Sequence, residues 1–404
     1  MFSQLIWLAL GAFTVGTEGF VIAGLLPDIS AEAGITIAQA GTLVTAFSLA
    51  YAVGTPVLAT LLGSVDRRYV LAGTMGLFAA ANAGAALTSS FSALLIARVA
   101  MAVAAGLYAA TAQATAIALS SPDHRARAIS VVVGGTTVAV ALGAPIGALL
   151  ATVTGWRGTF AAIALLSACT ALAILVKLPG NLRGSRIPLR QRAAVAVRPG
   201  MLPLLATTFL CLTGGFTVFT YIAPLAVDGA GLPGTLIPGL LLAFGVGSAL
   251  GNIAGGQASD RFGPRPTLIF STLAVSLILV AMSVVVKTVS APLAGPILVG
   301  LTIPWGIFAW MVPPTQASRI VALDPESAPV SLSLNASILY LGIAFGSFVG
   351  GEVMDLGRMN DLGFVAAVFP LLALAIVLTT RERTRQRSSP VPAKTCEPLQ
   401  AATH

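Results

Sequence analysis

"LPGNLRGSRIPLRQRAAVAVRPGM", residues 178–201, is the one long polar interruption before Thr380, and it carries five arginines and no acid. Everything around it is built for another solvent. Of 404 residues, 56% are hydrophobic and only 9% charged, whereas charged residues make up about a quarter of an ordinary soluble domain. Apolar runs of 20 or more residues recur on both sides of the interruption, long enough as helices to cross a hydrocarbon core of about 30 Å at 1.5 Å per residue. Six runs precede it, at 4–26, 37–62, 70–89, 93–119, 128–152 and 159–178. Six follow, at 203–227, 235–258, 267–286, 291–315, 328–351 and 361–380. The expected fold is an all-α membrane protein of twelve transmembrane helices in two pseudo-symmetric six-helix bundles. Its expected parts are an N-terminal bundle 1–178, a basic linker 179–202, a C-terminal bundle 203–380 and a short polar tail 381–404 expected to be disordered. The first run follows "MFSQ", which lacks the basic start of a signal peptide, so it is read as a retained span.

The net charge of +8 invites a nucleic-acid partner, but the positions of the charges argue for topology instead. Of the 22 Lys and Arg, only Arg157, Lys287 and Arg358 fall in loops on the far side from the termini, and only Arg98 falls well inside a predicted span, Lys177 standing at the inner end of the sixth. Such a bias places both termini in the cytoplasm. Three cysteines, Cys169, Cys211 and Cys396, and two histidines, His124 and His404, have no metal or disulfide spacing. No metal or other cofactor is expected, and no nucleic-acid partner.

The two sets of spans also match each other. Pro27 answers Pro224, Asp66 of "SVDRR" answers Asp260 of "SDRFGPR", and Gly143 and Gly147 answer Gly342 and Gly346, all near one common offset. A duplicated six-helix unit is the expected origin. Glycines at every fourth residue, Gly247, Gly251 and Gly255 in span eight and Gly342, Gly346 and Gly350 in span eleven, are expected to let helix backbones approach closely.

With that organisation in view, four stretches resemble the major facilitator superfamily, and within it the twelve-span drug:proton antiporter branch. Gly256, Asp260, Arg261, Gly263 and Arg265 spell G-x-x-x-D-R-x-G-x-R after span eight, while the first copy, "LLGSVDRRYVL" at 61–71, keeps Asp66, Arg67 and Arg68 without the following glycine. The resemblance implies a cytoplasmic gate at Asp66, Arg67, Asp260 and Arg261, with Arg125 or Arg127 as partners. "LLIARVAMAVAAG" at 94–106 resembles the signature built around an arginine, here Arg98, with Met101 and Ala102 where Gln and Gly are usual. In "GGTTVAVALGAPIGALLATVTGWR", 134–157, Gly134, Gly143, Pro145 and Gly147 resemble the span-five motif of exporters. "EGFVIAGLLPDI" at 18–29 is similar to the opening of bacterial chloramphenicol exporters and of sugar or arabinose efflux proteins.

Glu18 stands in the middle of the first apolar run, where an acid costs roughly 2.5 to 3.5 kcal/mol. Counting from the outer ends of their spans, it lies roughly 12 to 14 Å deep and Arg98 roughly 7 to 9 Å. Spans one and four line the central cavity in the family, so the two side chains are expected to meet there. Desolvation favours the protonated acid and a guanidinium the carboxylate, which lets protonation follow the state of the cavity. Glu18 is therefore the expected proton carrier, with Arg98 tuning it or touching the cargo. Expected cargo contacts on cavity-lining spans are Tyr108, Gln113, Phe216, Phe219, Tyr221, Trp305, Asn335 and Tyr340. Aromatics with a few amides suit a neutral ligand of drug size. The expected function is proton-coupled efflux of small hydrophobic compounds such as chloramphenicol by a multi-pass protein of the cell membrane working as a monomer, with a sugar or metabolite exporter as the alternative. A membrane-embedded enzyme would need acid pairs, His or metal ligands converging at depth, and this chain offers one Glu and one Arg there.

Overall fold

The computed structural model describes residues 2–183 and 189–380; the tail 381–404 and the linker segment 184–188 lie outside them. The described chain is helical almost throughout. The first half contains α1 (Phe2–Ala33), α2 (Ile37–Leu61), α3 (Arg67–Leu87), α4 (Phe91–Ala118), α5 (Arg125–Val138) and α6 (Ala144–Lys177). A short α7 (Leu189–Ala196) lies in the linker. The second half contains α8 (Met201–Phe219), the single turn α9 (Ile222–Pro224), α10 (Ile237–Phe262), α11 (Pro264–Thr288), α12 (Ala291–Leu323), α13 (Ala328–Asp355) and α14 (Leu362–Thr379).

Among the described residues, eleven helical stretches are long and apolar enough to cross a membrane, rather than the twelve expected. The difference lies at Arg127–Lys177, a continuous stretch of 51 residues. At 1.5 Å per residue it would be more than twice as long as a bilayer core is thick. It is interrupted at Gly155, whose φ of 72° and ψ of 169° are not helical, a backbone state that glycine adopts without a Cβ penalty. α12 stays helical through Pro296, Pro304, Pro313 and Pro314.

Large aliphatic side chains such as Val153 and Leu87 are exposed, while Thr and Ser are buried in the interior. That inversion suits lipid as the solvent. The buried hydroxyls bond back to carbonyls of their own helices, as Thr14 does to Leu10, Thr115 to Thr111 and Ser276 to Thr272. Glycines do the close packing. A Cβ at Gly247 or Gly251 of α10 would run into the backbone carbonyls of Ile303 and Ile307 in α12, and one at Gly342 or Gly346 of α13 into those of Phe209 and Thr213 in α8.

The two halves repeat one contact at helix ends. Arg68, opening α3, donates to the carbonyl of Leu175 near the end of α6. Arg265, opening α11, donates to those of Val377 (3.0 Å) and Leu378 (3.1 Å) at the end of α14. Each guanidinium satisfies carbonyls that a helix end leaves without partners. The missing glycine of the first gate loop also has a reason. Gly263 turns the second loop with φ 88°, whereas the first loop turns through Asp66 at φ −58°, whose side chain caps α3.

The halves meet along α2 against α13 and along α5 and α6 against α10. On the face opposite the termini the seam is closed by Tyr221, between α8 and α9. Its hydroxyl donates to the Ser347 carbonyl (3.0 Å) and Ser347 Oγ donates to the Gly41 carbonyl (3.1 Å). The Tyr221 ring fills the space a side chain at Gly41, Gly350 or Gly351 would need.

Candidate functional site

Glu18 on α1 and Arg98 on α4 form an ion pair, and both side chains are fully buried. Beyond that pair, neither Glu18 oxygen has a hydrogen-bond partner among the described residues. Arg98 is held from other sides: Nε donates to the Leu43 carbonyl of α2 (3.3 Å), and the guanidinium stands 4.5 Å from the Phe47 ring centroid. A charge on this carboxylate thus depends on one guanidinium, since burial withholds water.

Around Glu18, α1 lies against the span-five motif. Between α5 and α6 the helix widens into a π-turn at Ala139–Gly143, a feature frequent at functional sites. A Cβ at Gly143 would strike Thr17, one at Gly147 Val21, and one at Gly16 the Ala139 side chain. Pro145 opens α6 directly after the π-turn. Gly134, by contrast, faces open space. On the other side of span five, a Cβ at Gly245 of α10 would meet the backbone of Val140 and Ala141. The segment beside the buried acid is therefore also part of the seam between the halves.

Two cavities adjoin at the seam. One of about 210 Å³ lies mostly in the first half and is lined by Arg98, Tyr108, Gln113, Phe47, Tyr51 and Ser48 among others. The second, of about 240 Å³, lies mostly in the second half and is aromatic, with Phe219, Phe244, Trp305 and Trp310 in its walls. Phe20, Thr136, Phe216, Tyr340 and Ile343 line both. Glu18 lines neither and sits behind Arg98.

Of the eight residues expected to touch cargo, Tyr108, Gln113, Phe216, Phe219, Trp305 and Tyr340 lie in these walls. Tyr108 is also a bolt: its ring occupies the space above Gly11, and its hydroxyl donates to the Leu8 carbonyl at 2.9 Å. Tyr221 and Asn335 lie outside both walls. Tyr221 closes the outer seam, and Asn335 accepts from Thr208 (2.7 Å) in a buried chain in which Gln316 donates to Thr208 (3.0 Å) and Arg319 to Gln316 (2.6 Å). Arg319 corrects a second expectation, that Arg98 is the one basic residue within a helical span. α12 continues past the predicted span end and carries Arg319 inside the protein, where it is 4% exposed.

Sequence reasoning missed Phe20 and Tyr51. Phe20 centres an aromatic cluster, with ring centroids 5.7 Å from Phe219, 5.8 Å from Trp310 and 6.2 Å from Phe216. Tyr51 stacks on Tyr340 across the seam at 3.5 Å. The only sequence signal for Phe20 was its place two residues after Glu18.

At the face carrying the termini, Asp66 accepts from the backbone N–H groups of Arg68 (3.0 Å) and Asn181 (2.7 Å), and Arg67 Nη1 donates to the Ala114 carbonyl (2.9 Å). Hydrogen bonds thus reach Asp66 from its own helix and from the start of the linker. Asp260 and Arg261 are exposed, and the Arg261 guanidinium lies 5.2 Å from the Phe262 ring centroid. Burial alone would push the Asp66 carboxyl up, but the backbone donors Arg68, Asn181 and Leu182 and the charge of Arg183 hold it below the usual carboxylate range. A lowered folded-state value stabilises above the ordinary carboxylate pKa of about 3.9 and is lost as pH falls through the lowered value. Hydrogen exchange at Asn181 and Leu182 should therefore stay slow from neutral pH down to about pH 4. In Asp66→Asn it should be fast throughout; equal protection in both proteins would remove the clamp from the account.

Two adjoining cavities inside a bundle of helices long and apolar enough to cross a membrane, with a buried ion pair behind one wall, suit a multi-pass carrier of small molecules. The chain belongs to the Major Facilitator Superfamily, whose family model matches residues 8–347 and again 239–402. It is 34% identical over 384 residues to a chloramphenicol resistance protein of Streptomyces lividans, covering 92% of this chain and 96% of that one. It is 33% identical over 367 residues to the uncharacterized MFS-type transporter YbcL of Bacillus subtilis, covering 91% and 93%. A D-xylose-proton symporter shares the fold with a TM-score of 0.77 at 16% identity, over 95% of this chain and 98% of that one. Family and fold together make this a secondary transporter.

Proposed function

We propose that this protein exports small hydrophobic compounds, with a chloramphenicol-like antibiotic as first candidate, in exchange for protons. The observation that carries the reading is the buried Glu18–Arg98 pair, with Arg98 in the wall of one of two adjoining, largely apolar cavities and Glu18 behind it. Support for the cargo comes from the relative named a chloramphenicol resistance protein and from the scarcity of the polar side chains a sugar would need. In this reading the chain crosses the cytoplasmic membrane twelve times, Gly155 turning it between spans five and six, with both termini inside and bundles 1–178 and 203–380 rocking about the seam. The linker 179–202 ties the bundles, and a monomer suffices.

The Tyr221 contacts close the outer side in the state described. Cargo enters from the cytoplasm, the seam opens outward, and Glu18 takes a proton as cargo leaves; after return, the proton leaves inward. Arg98 steadies the unprotonated carboxylate. Asp66 and Arg67, with Asp260 and Arg261, close the cytoplasmic side when the outer seam opens. Gly143, Pro145 and Gly147 let span five follow α1, while Gly134 leaves room on the opposite side.

The test uses inverted vesicles holding the protein, an imposed proton gradient, labelled chloramphenicol and a pH dye. Drug accumulation with matched proton release is the expected result. Accumulation indifferent to the gradient would sink proton coupling; no accumulation would sink the phenicol assignment and turn the search to other drugs and sugars.

A further inference from the structure

Of the glycines in the walls of the two cavities, Gly16 packs against the Ala139 side chain, but Gly19 on α1 and Gly215 on α8 pack against nothing. Beyond its own stretch of chain, a Cβ at either would find no atom within 4 Å. Neither residue takes a positive φ, so the backbone does not call for glycine, and inside a helix glycine is the poorest former after proline. What remains is volume. Gly19 stands in the wall of the first-half cavity and Gly215 in that of the second, both half-buried, and each leaves open the space that a side chain would fill.

Each glycine is followed by a phenylalanine. Gly19-Phe20 recurs as Gly215-Phe216 close to the offset that relates the two halves. The two rings meet across the seam with 6.2 Å between centroids, and both line both cavities. They therefore stand at the common boundary of the chambers, one from each half. Neither chamber alone, at about 210 and 240 Å³, reaches the roughly 300 to 1,000 Å³ usual for sites of drug-sized ligands; the two together do. We infer that the duplicated Gly-Phe pair is the size filter of the cargo site: one elongated, largely apolar molecule lies across both chambers past the Phe20 and Phe216 rings, and Gly19 and Gly215 fix how much of it each chamber admits. The substrate class is a ring carrying a long arm, the ring among Phe219, Phe244 and Trp305 of the aromatic chamber and the arm reaching past Gly19 into the other. This rests on the cavities being the cargo site of the proposed exporter, and not on proton coupling or direction.

Two labelled probes that share a ring and differ in its arm, 4-methylbenzyl alcohol and 4-octylbenzyl alcohol, test it by equilibrium dialysis against the full-length protein in nanodiscs, with uptake by empty nanodiscs subtracted. The wild type should bind the octyl probe at least about 10-fold tighter, since each buried methylene adds affinity. Gly19→Leu, which fills the first chamber alone, should remove most of that gain and leave the methyl probe within about 2-fold, whereas Gly215→Leu should weaken both probes. Gly300→Leu, at an exposed glycine of α12 with as much room for a Cβ, should change neither. Equal binding of the two probes by the wild type, or binding of neither, overturns the inference even if a variant does not fold, and so does an octyl preference that survives Gly19→Leu. The expected pattern in a protein that fails the vesicle assay would keep the filter and discard proton-coupled export; drug-linked proton release with equal binding of the probes would discard the filter alone.

Discussion

Glu18→Gln is expected to abolish drug-linked proton release and at the same time to destabilise the protein. The second effect follows from the partner left behind. Removing one member of a buried ion pair costs about 3 to 5 kcal/mol, because the other charge stays desolvated and unpaired. Arg98 would keep only the Leu43 carbonyl and the Phe47 ring. Loss of transport in the single variant could then reflect instability alone, so the informative protein is Glu18→Gln with Arg98→Met. Replacing both charges by groups of similar volume is often neutral or stabilising, and its melting temperature should return to that of the wild type. Proton release on drug addition should nonetheless stay at the level of empty vesicles. If the double variant melts normally and still couples drug to protons, Glu18 is a structural partner of Arg98 and the proton travels elsewhere.

Gly41→Ala should hold the outer seam open. The added Cβ would stand 2.6 Å from Cζ and 2.8 Å from Cε1 of Tyr221, in a ring that is 1% exposed and anchored by its bond to Ser347. Overpacking of this kind costs about 1 to 3 kcal/mol, and the cost applies only in the outward-closed state. A penalty of that size shifts the balance between closed and open about 5- to 150-fold, so cysteines placed at the outer ends of α2 and α13 should react faster with a membrane-impermeant thiol reagent while efflux falls. Tyr221→Leu in the same protein removes the colliding ring atoms and should return both readings toward the wild type. Unchanged labelling in Gly41→Ala would show that Tyr221 yields and that the seam is not the gate.

Much of the architecture was legible because a bilayer imposes it. A chain crossing hydrocarbon must satisfy its backbone within each helix, and that demand writes contiguous apolar runs, basic loops on one side and a single polar interruption at 178–201. The duplicated turn at Asp66 and Asp260, the buried acid at Glu18 and its encounter with Arg98 could be read in the same way, since charge at membrane depth is too costly to occur without a partner. The direction each uncharged side chain faces was decided only by the tertiary structure. Lipid and protein interior are equally apolar, so helices such as α12 carry no stripe that says which residues look inward. For that reason Phe20 and Tyr51 went unseen while Tyr221 and Asn335 were assigned to the cavity, and Arg319 was taken for a loop residue because helices outrun the apolar runs that reveal them.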